Sequence, residues 1–123
     1  MRTFLTPLAL AAALICGAAA PAWADVDDGF TAYEAGDYAT ALKEWRPLAE
    51  QGYASAQYNL GLMYGNGEGV PLNYIKAYMW TSLAKAQGNK DAAHNLDLAK
   101  SEMTAADISE AQRLATEWWE AHQ

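Results

Sequence analysis

Sliding this chain along itself by 36 positions superimposes eight identical residues without a gap. Tyr38 falls on Tyr74, Ala41 on Ala77, Gln51-Gly52 on Gln87-Gly88, Ala56 on Ala92, Asn59-Leu60 on Asn95-Leu96 and Leu62 on Leu98. Self-similarity at a period of this size restricts the fold to stacked supersecondary units, because each unit leaves an apolar face that only a neighbour can bury. The unit itself reads as a helix pair. Ala56, Leu60 and Tyr64 recur every four residues, which is one face of a helix. Pro71 and Asn73 mark the start of a second helix, with Asn73 as its N-cap. Ala77, Trp80 and Ala84 carry that helix's apolar face, and Gln87-Gly88 ends it, with Gly88 in the left-handed C-cap conformation. Small residues (Ala56, Gly61, Ala77, Ala84) set against large ones (Tyr64, Tyr74, Trp80) let two antiparallel helices interlock at close range.

The two helices are joined by Gly65-Asn66-Gly67-Glu68-Gly69-Val70-Pro71. The glycines suit backbone turns with positive φ. A phosphate-binding loop would need a Lys followed by Ser or Thr and a preceding strand, none of which is present. The segment therefore reads as a tight helix–helix connector with Val70 turned into the core.

With these residues in view, the stretch resembles the Sel-one-like repeat, a relative of the tetratricopeptide repeat. The residues that carry the resemblance are Ala56, Leu60, Gly61 and Tyr64 in the first helix, Gly67, Gly69 and Val70 in the connector, and Lys76, Ala77, Trp80, Ala84 and Gly88 in the second helix. The resemblance implies an all-α fold, an α/α solenoid of antiparallel helix pairs. It further implies an interaction scaffold with protein partners, no catalytic activity and no cofactor. One full repeat spans about residues 54–89. Upstream, residues 33–52 resemble the second helix of a preceding repeat or a tetratricopeptide opening, and Pro47 within them predicts a kink or break near Arg46. Downstream, residues 91–100 resemble another first helix, but Asp97 stands where the repeat has Gly61 and no glycine-rich connector follows. About two repeats are expected.

Residues 104–122 read as a capping helix laid on the last repeat. Thr104 and Asp107 form a box-like start, and Ile108, Ala111, Leu114, Ala115 and Trp118 follow at helical spacing. Met103 packs at its entry. Trp118 and Trp119 are adjacent and point about 100° apart on a helix, so Trp119 is the candidate for an exposed binding residue.

The first 24 residues read differently. Arg2 is the only charge before Asp25, and an apolar run leads to Ala22-Trp23-Ala24. This is the pattern of a secretory leader cleaved after Ala24, leaving a domain at 25–123 in the periplasm or outside the cell. Ile15 before Cys16 argues against lipidation, and Cys16 leaves with the leader. No stable membrane insertion is expected after cleavage. Without Arg2, seven Lys and Arg remain against fifteen Asp and Glu, a net charge of −8. Such a surface repels nucleic acid and anionic lipid.

The residues that could carry chemistry are few. His94 and His122 are the only histidines, and His94 with Asp91 and Asp97 is a thin metal set. Glu44, Glu50 and Glu68 are isolated and read as solvated carboxylates. The candidate partner-binding residues are Tyr58 and Asn59 in the first repeat helix, their equivalents His94 and Asn95, and Trp119. The first four are the positions that core packing does not claim on the expected concave side, and Trp119 lies on the capping helix. The expected function is an exported scaffold for protein–protein interaction in the bacterial cell envelope. The alternatives are a small envelope ligand binder or a hydrolase acting on cell-wall material, and a short array that self-associates.

Overall fold

The structure is a computed structural model that describes Pro21 and residues 23–123. The expected leader lies outside the described residues, apart from its last positions Pro21, Trp23 and Ala24. Six helices and no strand are present among the described residues: α1 Val26–Glu34, α2 Tyr38–Glu50, α3 Ala54–Asn66, α4 Tyr74–Ala86, α5 Ala92–Ser101 and α6 Ala105–Ala121. They stack in sequence as an α/α repeat, and α4 is the hub, packed against α3, α5 and α6.

Each boundary has a local cause. Asp25 caps α1 through the Asp27 and Asp28 N–H groups, and Asp37 caps α2 through Thr40. Asn73 Oδ1 accepts the Lys76 N–H at 3.0 Å, the cap expected from the sequence. At Thr104 both halves of the capping box with Asp107 are made. The repeated Gln-Gly pairs end α2 and α4 identically. Gly52 and Gly88 adopt φ of 92° and 98°, and the following Tyr53 and Asn89 N–H groups donate back to Leu48 and Ala84 at 3.0 Å. This is the Schellman closure, and only glycine enters the left-handed region without strain.

α2 runs unbroken through Pro47, contrary to the expected break. Pro47 lacks an N–H, but Trp45, Leu48 and Ala49 on either side are buried, and their packing holds the helix across the missing bond.

Ala41, Trp45, Leu48, Ala56, Leu60, Met63, Trp80 and Leu83 form the main core. Val70 packs against it from the connector. α1 docks through Gly29, where a Cβ would overlap the Trp45 indole. The Trp45 Nε1 donates to the Val26 carbonyl at 3.0 Å, and Phe30 meets its ring edge-on at 5.4 Å. α3 and α4 approach as the sequence predicts: a Cβ on Gly61 would overlap Thr81 Oγ1 and lie 3.2 Å from the Ala77 carbonyl.

The cap departs from expectation in its placement. α6 packs chiefly along α4, with α5 joining through a second small core of Tyr78, Leu96, Ala99 and Ala111. Met103 packs at this cluster as its entry corner. Trp118 then reaches back to α2. Its Nε1 donates to Glu50 at 3.1 Å, its ring meets Trp80 at 6.4 Å, and His122 stacks on its other side at 3.9 Å. Trp118 is thus a packing residue that joins α6 to Trp80 and Glu50.

Candidate protein-binding cleft

A cleft of about 250 Å³ opens between α3, α4 and α5. Leu62 lines it from α3, Tyr74 and Thr81 from α4, and Asn95, Leu98 and Glu102 from α5. Leu98 is 56% exposed although it repeats Leu62 at the equivalent position. Among the described residues the last helix, α6, packs along α4 and leaves this side of α5 uncovered.

Asn95 contributes the unusual feature. Its Nδ2 is enclosed and donates to nothing. A buried donor without a partner costs about 1–3 kcal/mol, so the surrounding packing must hold it there. Asn59, the equivalent residue one repeat earlier, has the same orphaned Nδ2.

The five residues singled out from the sequence do not form one surface. Asn95 lines the cleft. Asn59 is 3% exposed, so the expectation that core packing leaves it free is corrected: α3 lies between α2 and α4 and is buried around most of its circumference. Tyr58 is half-buried and His94 exposed, and neither is among the cleft's lining residues. Trp119 is 43% exposed and lines a separate groove of about 610 Å³ between α4 and α6, with Tyr78, Leu96 and Gln112. Leu98 and Glu102 were not anticipated. The Leu62–Leu98 identity was the available signal, since Gly61 and Asp97 beside them differ.

The perturbed ionisable groups lie away from the cleft. The Tyr33 hydroxyl donates to Glu68 at 2.6 Å, and burial together with that carboxylate pushes its pKa up to about 12. Burial works to raise the Glu68 carboxyl, but hydrogen bonds from Tyr33, Asn66 and Tyr38 outweigh it and hold the group below its usual range. Glu68 is therefore not the solvated carboxylate expected; it ties the connector to α1. Arg113 pairs with Glu110 and Glu117 on the exposed face of α6. Among the described residues there is no cluster of three His, Cys, Asp or Glu able to hold a metal. No described helix is long and apolar enough to cross a membrane.

With the geometry established, comparison with known proteins places the central unit. The Sel1 repeat family matches residues 54–89, the span of α3, the connector and α4. The DAP3-binding cell death enhancer 1 of Rattus norvegicus is 41% identical over 44 residues, covering 36% of this chain and 9% of that protein. Its counterpart in Mus musculus is 43% identical over 42 residues, covering 34% of this chain and 8% of that protein. The chain thus spans less than a tenth of the length of these curated relatives, and the likeness is one of the repeat. Sel1 repeats generally mediate interactions between proteins. By its sequence pattern, its caps and this match, the segment 54–89 is a Sel1 repeat.

Proposed function

We propose that this protein is an exported, non-catalytic scaffold of the bacterial cell envelope that holds an extended segment of a partner protein in the α3–α4–α5 cleft. The observation that carries the reading is the orphaned Asn95 amide in a cleft rimmed by exposed Leu98. A peptide carbonyl satisfies the amide, and an apolar side chain one or two residues along covers Leu62 and Leu98. The repeat family supports the scaffold role, and the leader pattern of residues 1–24 supports export.

The test uses the full chain expressed in bacteria with a photo-crosslinking residue in place of Leu98. A discrete adduct in the envelope fraction that Asn95→Leu abolishes, with the variant's circular dichroism unchanged, is the expected result. An adduct of twice the chain's own mass points to self-association instead. No adduct, or one indifferent to Asn95, sinks the cleft as the binding site.

A further inference from the structure

Glu44 differs from the chain's other carboxylates. It is only 9% exposed, where the sequence suggested a solvated face, because α1 folds back over it. Among the described residues no Lys, Arg or His lies within ion-pair distance of it. Among the described residues its one hydrogen bond comes from the backbone N–H of Asp25, 2.9 Å from Oε1. Carboxylates this enclosed are ordinarily matched by a cation, since a single neutral amide replaces only part of the lost hydration.

The Asp25 nitrogen is the atom that removal of residues 1–24 would set free. We infer that leader removal supplies the missing cation: the new α-ammonium of Asp25 pairs with the Glu44 carboxylate and locks α1 onto α2. The inference rests on the reading of residues 1–24 as a leader cut after Ala24. The step is a hydrolysis catalysed by a leader peptidase. Water adds to the Ala24 carbonyl carbon, the C–N bond to Asp25 breaks, and the released amine takes up a proton at neutral pH.

The local geometry fits this pairing. Asp25 is the N-cap of α1, so its own nitrogen takes no part in the helix ladder and is free to point at α2. Its side chain meanwhile accepts from the Asp27 N–H at 2.7 Å and the Asp28 N–H at 3.1 Å, which fixes the residue in place. An ammonium at a helix N-terminus meets the positive end of the dipole. The carboxylates of Asp25, Asp27 and Asp28 offset that field. The charged groups of the two helices around the site are these three with Glu34 on α1, and Lys43, Arg46 and Glu50 with Glu44 on α2. Tyr33 and Tyr38 look instead to Glu68. Just before the scissile bond, half-exposed Trp23 lies under the Lys43 ammonium at 5.0 Å, and the Ala24 N–H closes a turn onto Pro21.

The experiment expresses the full chain with its own leader in bacteria, purifies the exported protein and reads its N-terminus by mass. The rate at which an amine-reactive ester acylates the Asp25 amine is then followed against pH. An amine that gains a carboxylate partner titrates above the ordinary α-amino range of about 7.7–8.0. The wild type is expected to do so, and at pH 7 to react about tenfold more slowly than Glu44→Gln, the change that one unit of pKa produces. The sign follows: with the folded pKa raised, the contribution of the pair to stability is complete below the unfolded pKa and disappears as pH climbs through the folded one. A product starting elsewhere than Asp25 overturns the leader reading and this inference together. A product starting at Asp25 whose amine titrates in the ordinary range overturns the inference alone. The wild-type profile decides the matter even where Glu44→Gln fails to fold.

Discussion

Gln87 Nε2 donates to Gln57 Oε1 at 2.6 Å, and Gln57 in turn donates from Nε2 to the Ala49 carbonyl at 3.1 Å. Gln57 is 0% exposed, so one interior side chain joins the C-terminal ends of α2 and α4, the two equivalent helices of successive repeats. Gln57→Leu keeps the volume and removes both bonds. It is expected to lower unfolding free energy by ~0.5–1.5 kcal/mol, measured by urea titration, because Gln87 is exposed and turns to water while the buried Ala49 carbonyl keeps only its bond from the Gly52 N–H. A loss below a few tenths of a kcal/mol would show the bridge to be incidental.

The α3–α4 approach at Gly61 gives a second test. Gly61→Ala drives a methyl group into Thr81 Oγ1 and against the Ala77 carbonyl. Overpacking of this kind costs about 1–3 kcal/mol. Thr81→Ala in the same chain removes the hydroxyl and should restore part of the loss, leaving the share owed to backbone contact. Strict additivity of the two changes would contradict this geometry.

Alkaline stability should be governed in part by Tyr33. Its folded pKa of about 12 lies above the ordinary value of 10.0, so the neutral phenol is favoured in the folded state. The stability it contributes is complete below pH 10 and lost as pH rises from there towards 12. Tyr33→Phe should flatten the fall in melting temperature across that window, with Tyr38, also raised, accounting for a remainder. Parallel curves for wild type and variant would refute the assignment.

Asn59 offers a change in the opposite direction. Its Nδ2 is enclosed and unpartnered, so Asn59→Leu exchanges an unsatisfied donor for apolar contact. The variant should match or exceed wild-type stability by up to ~1 kcal/mol in the same urea titration. A clear destabilisation would mean that the amide has a packing role its hydrogen bonding does not reveal.

Much of the scaffold was legible because local chemistry repeats with the chain. The 36-residue shift located Gly52 and Gly88, and both take the left-handed closure. Asn73 and Thr104 cap as their sequence neighbours require. What sequence did not disclose depends on residues far apart. Gln57 looks like a surface residue until Ala49 and Gln87 close around it. Asn59 and Glu44 likewise gain their burial from helices that the local pattern does not contain. Pro47 signalled a break that packing of Trp45 and Leu48 overrides. Of the candidate binding residues, Asn95 was visible through its repeat position, whereas the cleft around it depends on how α3, α4 and α5 pack together.

An open repeat array loses structure from its ends inward, since each unit is coupled only to its neighbours. The Trp118–Glu50 bond joins residues 68 apart and crosses from α6 to α2 over the α3–α4 pair. Fraying of the last helix therefore loosens the first repeat as well. The array is expected to melt more nearly as one unit than an open one, and cutting the clasp to return it towards staggered unravelling.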